Sequence, residues 1–281
     1  MTFSLENITP ENPLVLFGCG KMGGAMLQGW LKGGLQADAV KVVDPYKKAA
    51  MALVPELDEK NFFEKTDDLP DNIEASFFIL AVKPQMMDEV MTVLPSLKCE
   101  KTVFLSIAAG KTLAYFARHM GEDRAVIRAM PNTPAAIGKG ISVYCANKNV
   151  SDDQCDVCHS LLSAVGAVER VEDENLMDAV TAVSGSGPAY VFHLVEAMAA
   201  AGEAIGLPLD LSQKLAAHTV SGAGALLERS DLDARTLRRN VTSPKGTTEA
   251  ALNILMDEEG LGRVMRRAIR AAMERSRELA D

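Results

Sequence analysis

Short apolar runs alternate with stretches of helical periodicity over roughly the first 171 residues. The apolar runs predict strands at 14–17, 40–43, 76–82, 102–106, 124–129, 141–145 and 167–171. Between them, helices are expected after Gly20 and at 45–53, 85–94, 112–118 and 152–165. Strands alternating with helices are the signature of βαβ units and a mainly parallel sheet. Near Asp173 the pattern changes to long segments rich in Ala, Gly and Met, with no strand-like run through Asp281. Residues 1–172 are therefore expected to form an α/β domain with a doubly wound parallel sheet, and residues 173–281 an all-helical domain. No repeat or low-complexity linker separates the two, so a helix should join them.

Composition narrows the partners. With 281 residues, 48% of them hydrophobic, the chain can bury one large core or two ordinary ones. A net charge of −9, with no run of Lys or Arg, argues against nucleic acid or an anionic membrane. The arginines from Arg263 onward alternate with apolar residues at helical spacing, which reads as a solvated helix face. The opening M-T-F-S-L-E-N lacks the basic and apolar regions of a secretory signal. The most apolar stretch, 194–211, is broken by Glu196, Glu203 and Asp210, which would be costly in lipid. Five unevenly spaced cysteines fit a reduced, cytoplasmic protein rather than a disulfide framework. Cys155-Asp156-Val157-Cys158-His159 matches a haem-attachment pattern, but it lies in a segment that reads as a helix capped by Ser151 and ended by Gly166. With no second cysteine pair nearby, no metal site is expected.

The chemistry gathers in loops. Gly18, Gly20 and Gly23 form G-x-G-x-x-G between the first strand and the first helix, where glycines allow a tight turn, close approach to a pyrophosphate and close helix packing. Asp44, at the end of the next strand, can accept both ribose hydroxyls of NAD and would repel a 2′-phosphate, favouring NADH. Lys47 and Lys48 just beyond could instead serve NADPH. Ala81-Val82-Lys83-Pro84, Ser106 to Gly110 and Met130-Pro131-Asn132-Thr133-Pro134 each follow a strand, at the edge where open α/β sheets bind ligands. The two prolines of the last of these also fit a simple rigid turn. Ser184-Gly185-Ser186-Gly187-Pro188 breaks two helices, with Pro188 in the first turn of the second. Thr242 to Thr248 reads T-S-P-K-G-T-T and runs into a helical pattern, so unpaired N–H groups and the helix dipole there favour an anion such as a carboxylate. The Ala- and Gly-rich segments 197–206 and 216–225 suit close helix packing, and His193 and His218 read as core or interface residues.

Taken together, G-C-G-K-M-G, A-V-K-P, M-P-N-T-P, S-G-S-G-P-A-Y and N-V-T-S-P-K-G-T-T resemble pyrroline-5-carboxylate reductase, in the right order and from about residue 13 to 281. The resemblance implies an N-terminal Rossmann domain, a C-terminal helical dimerisation domain and assembly of homodimers, often into decamers. It implies reduction of L-1-pyrroline-5-carboxylate to L-proline with NADPH or NADH. Carried onto this chain, it places Gly18, Cys19, Gly20, Lys21, Met22 and Gly23 on the pyrophosphate and Asp44 on the adenosine ribose. It places Ala81, Val82, Lys83, Pro84, Ala108 and Asn240 along the rest of the cofactor. Ser243, Pro244, Lys245, Gly246, Thr247 and Thr248 would hold the substrate carboxylate, with the Thr248 hydroxyl, as the catalytic group, reaching the ring nitrogen.

Lys245 departs from the family's S-P-G-G-T-T loop. Either the backbone there is ordinary, or the ammonium adds attraction for the carboxylate. Two other readings compete. A β-hydroxyacid dehydrogenase shares the domain plan, but S-G-S-G-P-A-Y lacks the lysine such an enzyme places after its glycine motif. A catalytically silent nucleotide sensor would have no need of an intact loop at 243–248.

Overall fold

The computed structural model describes residues 5, 8–70, 73–94 and 101–279. The chain forms two compact units: Ser186–Ala272 is one, and everything through Gly185 together with the stretch from Met273 is the other.

The first unit is built on an eight-stranded sheet in the order β3-β2-β1-β4-β5-β6-β7-β8. Its strands are β1 (Leu14–Phe17), β2 (Val40–Val43), β3 (Phe62–Phe63), β4 (Phe77–Leu80), β5 (Val103–Ser106), β6 (Ala125–Met130), β7 (Gly140–Ala146) and β8 (Gly166–Arg170). All neighbours are parallel except β6 and β7. β1 is central: Leu14 lies opposite Val40 of β2 on one side and Phe77 of β4 on the other. Chain order reverses across β1 and β4, which opens a crevice at the carboxyl ends of these strands.

Burial on both faces explains why the central strands β1, β4 and β5 read as continuous apolar runs. Leu14 and Leu16 pack into one cluster with Trp30 and Leu161, while Val15 and Phe17 pack into another with Phe78, Phe104 and Phe116. The Trp30 indole N–H donates to the Leu161 carbonyl at 2.8 Å, which satisfies the polar end of a fully buried ring. Seven of the strands fall on the seven apolar runs, with ends shifted by up to two residues. The two-residue β3, at the sheet edge, lies where no strand was expected. It is too short to carry a period of two.

The helices of this unit are α1 (Lys21–Lys32), α2 (Lys47–Leu53), α3 (Met87–Val93), α4 (Leu113–Met120), α5 (Asp152–Ser163) and α6 (Met177–Val180). α5 begins in a capping box: the Ser151 hydroxyl accepts the Gln154 N–H, and the Gln154 side chain accepts the Ser151 N–H. It buries Cys155, Val157 and Cys158 against the core while Asp156 and His159 stay exposed, so the two cysteines are packing groups. A π-type turn, Thr181–Gly185, follows α6.

The second unit holds α7 (Gly187–Ala204), α8 (Leu209–Arg229), α9 (Ala234–Asn240), α10 (Thr247–Leu255) and the greater part of α11 (Leu261–Glu278). α7 and α8 pack closely through small residues. The Ser212 hydroxyl donates to the Ala199 carbonyl at 2.6 Å, and a Cβ on Gly202 would lie 2.1 Å from that hydroxyl oxygen. Within this unit only Ala199, Ser212 and Ala216 are buried among the described residues. The His193 side chain is 80% exposed in the single chain and pairs with Glu196 at 3.0 Å, which rules out a core place and is compatible with an interface one. His218 is exposed as well.

Candidate active site

The three glycines of the first loop do three different jobs. Gly18 has φ +89, a backbone form that costs other residues steric strain, and a Cβ there would lie 2.9 Å from the Ala81 carbonyl oxygen. A Cβ on Gly23 would sit 2.2 Å from the Gly18 carbonyl, so helix and turn touch directly. A Cβ on Gly20 would meet nothing within 4 Å, leaving open space beside the start of α1. Gly20 caps α1 without any side-chain hydrogen bond. The first N–H groups of a helix have no intrahelical acceptor, so this end is fitted to an anion such as a pyrophosphate. Lys21 and Met22 open the helix.

Asp44 closes β2 and is only 9% exposed. One carboxylate oxygen accepts the Cys19 N–H at 2.7 Å and the other accepts the Tyr46 N–H at 2.8 Å. The carboxylate therefore ties the glycine loop to the turn after β2. Each oxygen keeps a further acceptor position for a ribose hydroxyl. Burial, with the Asp44 charge as second cause, pushes the Cys19 thiol up to about 12, so it stays a neutral packing group. The Lys47 ammonium lies 3.4 Å from Glu59, while Lys48 is exposed.

Three more loops lie at the carboxyl edge of the same sheet. Ala81 extends the β1–β4 pairing by donating its N–H to the Phe17 carbonyl at 2.8 Å. Val82 and Pro84 are half-buried there, and the Lys83 side chain is exposed. After β5, the Ser106 hydroxyl accepts the N–H of buried Ala108 at 3.2 Å. After β6, the Asn132 amide donates to the Ser184 carbonyl at 3.4 Å and hydroxyl at 3.3 Å, and its oxygen accepts the Ile141 N–H at 3.0 Å. A Cβ on Gly185 would fall 2.3 Å from the Met130 Cε. M-P-N-T-P and S-G-S-G are thus in direct contact, two motifs 52 residues apart in the chain at Asn132 and Ser184.

In the second unit, the loop 243–248 closes on the N-terminus of α10, with Gly246 as N-cap and no side-chain cap bond from it. Lys245 has φ 61, the one non-glycine residue with positive φ among the described residues. Its backbone is therefore not ordinary. The Lys245 N–H donates to the Glu249 carboxylate at 2.7 Å, and the Gly246 N–H to the Ser243 carbonyl at 3.0 Å. Glu249, three residues after the N-cap, was missed as a loop residue, although that spacing is the one a capping box uses. The early N–H groups at Thr247 and Thr248, in the first turn of α10, have no intrahelical acceptors, an arrangement able to receive an anion. Thr248 is half-buried, Ser243, Pro244 and Thr247 are exposed, and Asn240 is exposed at the end of α9.

A doubly wound sheet with a glycine loop at its switch point, joined to an all-helical unit, defines a Rossmann-type nucleotide-dependent oxidoreductase. Residues 13–110 match the NADP oxidoreductase, coenzyme F420-dependent family, and residues 174–279 match pyrroline-5-carboxylate reductase dimerisation. The chain is 39% identical to the pyrroline-5-carboxylate reductase of Pseudomonas aeruginosa over 277 residues, spanning 96% of this chain and 98% of that one. The chain belongs to the pyrroline-5-carboxylate reductase family. The pyrroline-5-carboxylate reductase structure from Coxiella burnetii superposes with a TM-score of 0.86 at 29% identity, covering 96% of this chain and 99% of that one. The Plasmodium falciparum pyrroline carboxylate reductase structure with NADP bound gives 0.79 at 27% identity, covering 96% and 98%. The helical unit is thus of a dimerising kind, and the protein is a homo-oligomer.

Among the described residues, no helix is long and apolar enough to cross a membrane. No group of three or more His, Cys, Asp or Glu among them could hold a metal ion.

Proposed function

We propose that the protein reduces the ring C=N bond of L-1-pyrroline-5-carboxylate, giving L-proline at the expense of NADH or NADPH. The observation that carries this reading is the 39% identity to a pyrroline-5-carboxylate reductase along nearly the whole of both chains. The first-unit loops fit a dinucleotide, with Gly18, Cys19, Gly20, Lys21, Met22 and Gly23 around the pyrophosphate and Asp44 at the ribose. Ala81, Val82, Lys83, Pro84, Ala108 and Asn240 are assigned to the remainder. The loop from Ser243 to Thr248 takes the substrate carboxylate on the N–H groups at the start of α10.

When bound, the reduced nicotinamide supplies the hydride. The chain's own task is positioning, because a cyclic imine is already electrophilic at carbon once its nitrogen is protonated. The Thr248 hydroxyl is assigned to the ring nitrogen, where its hydrogen bond strengthens as charge moves. Thr248→Ala is expected to lower turnover by about one to two orders of magnitude. Unchanged kinetics in that variant would remove Thr248 from the mechanism.

NADH is the favoured donor in this reading. The buried Asp44 charge opposes a 2′-phosphate, and Lys47, the nearer of the two following lysines, is engaged by Glu59. Residues 1–172 are assigned to the cofactor and 173–281 to substrate and dimerisation; dimers are proposed to build a decamer in the cytoplasm. The test is oxidation of NADH and of NADPH by the purified protein, followed through the loss of nicotinamide absorbance, with and without pyrroline-5-carboxylate. Substrate-dependent oxidation, faster with NADH, is the expected result. A folded protein that binds nucleotide yet oxidises neither would overturn the assignment.

A further inference from the structure

Arg128 of β6 is only 4% exposed, and a buried guanidinium needs carboxylate partners to offset its desolvation. It finds Glu174 at 2.9 Å and Asp178 at 4.0 Å, both on the segment that follows β8. Each carboxylate does a second thing. The same Glu174 oxygen accepts the Leu113 N–H at 2.9 Å, which fixes the first residue of α4 and hence one end of the loop between β5 and α4. Asp178 accepts the Ser276 hydroxyl at 2.7 Å, and Arg277 lies 3.8 Å from its other oxygen. Ser276 is itself buried, at 5% exposure, near the end of a helix that is otherwise largely exposed.

That anchorage accompanies a second contact on the same loop, made by Leu279. A Cβ on Gly110 would lie 2.8 Å from the Leu279 carbonyl oxygen and 3.5 Å from its Cβ, so the loop backbone rests directly on Leu279. Gly110 adopts φ +79, a conformation that an L side chain would strain and that permits this approach. The loop is thus held from two directions, at Leu113 through Glu174 and at Gly110 through Leu279. It is also the loop that carries Ala108 at the carboxyl end of β5.

We infer that residues 276–279 are a positioning element for the cofactor: the Arg128, Glu174 and Asp178 charges fasten the last turn of α11 so that it braces the loop carrying Ala108. None of these residues is placed against the nicotinamide or the substrate; they act through loop 107–112. The inference rests on the assignment of the first unit to NADH or NADPH.

The test is direct titration of NADH and NADPH into the full-length protein, read by nicotinamide fluorescence, alongside steady-state kinetics and thermal melts. Asp178→Ala is expected to raise the dissociation constant about tenfold, the size expected for losing a hydrogen bond to a charged group. Ser276→Ala should raise it about three- to fivefold, and Ser276→Thr, which keeps the hydroxyl, should restore it. Turnover at saturating cofactor should stay within about twofold, because the reacting groups are untouched. Variants that melt earlier yet bind nucleotide as the parent does would reduce the network to a stability device and overturn the proposal. Binding in the parent that is unaltered in both alanine variants sinks this proposal alone. A parent that binds neither nucleotide sinks it together with the reading beneath it.

Discussion

Lys245 occupies a left-handed backbone conformation that favours glycine, at a position where a side chain costs on the order of 1 kcal/mol. Lys245→Gly is therefore expected to raise the melting temperature by about 2–4 °C while leaving turnover largely intact. Lost folding or activity in that variant would show that the ammonium, not the backbone, decides the residue. Sequence alone left the choice open, because whether the position needs positive φ depends on how the loop meets α10. Two buried thiols set the response to alkali. The Cys19 and Cys145 thiols are each raised from 9.0 to about 12, by burial first and then by Asp44 and Glu174 respectively. Below about pH 9 both states hold these protons and the stabilisation is fully present. As pH rises toward 12 only the unfolded chain gives them up, so stability is progressively lost. Denaturant melts repeated from neutral to alkaline pH should give a flat profile that declines above about pH 9, and the decline should lessen in Cys145→Ala. A profile equally steep in the variant would place the alkaline loss elsewhere.

At the scale of elements, the glycine loop separates binding from folding. Gly20→Ala adds a methyl to open space and should fold normally while weakening NADH and NADPH binding, since that space is the one proposed above for the pyrophosphate. Gly23→Ala drives a methyl into the Gly18 carbonyl and should reduce both melting temperature and binding. Parallel melts and nucleotide titrations distinguish the two; an equal loss of stability would refute the division. Most of this architecture was legible because the central strands β1, β4 and β5, buried on both faces, are almost wholly apolar, and because α5 carries its own capping box. The contacts among loops were not. Asn132 with Ser184, and Asp178 with Ser276, join residues 52 and 98 positions apart, and neither partner has a local pattern that announces the other. Charge at Arg128 was equally silent, since a lone arginine in an apolar strand does not say which carboxylates the fold will bring to it.

On the scale of the whole molecule, the helical unit displays far more apolar surface than a single chain can hide. Val191, Phe192, Leu194 and Met198 on α7, and Leu209, Leu211, Leu215, Leu226 and Leu227 on α8, are all exposed. Surfaces of this kind mark association rather than solubility. Phe192→Asp, at a side chain 64% exposed in the single chain, is expected to shift the protein to a smaller species by light scattering, with partial loss of helical circular dichroism. An unaltered assembly would place the interface on another face. The scarcity of buried residues in this unit also bears on the cell. A newly made copy gains a finished helical half only by meeting another, so when a damaged version is made beside the normal one, the two will pair. Damage to the helical face of one copy therefore also takes the cover from the same face of its partner.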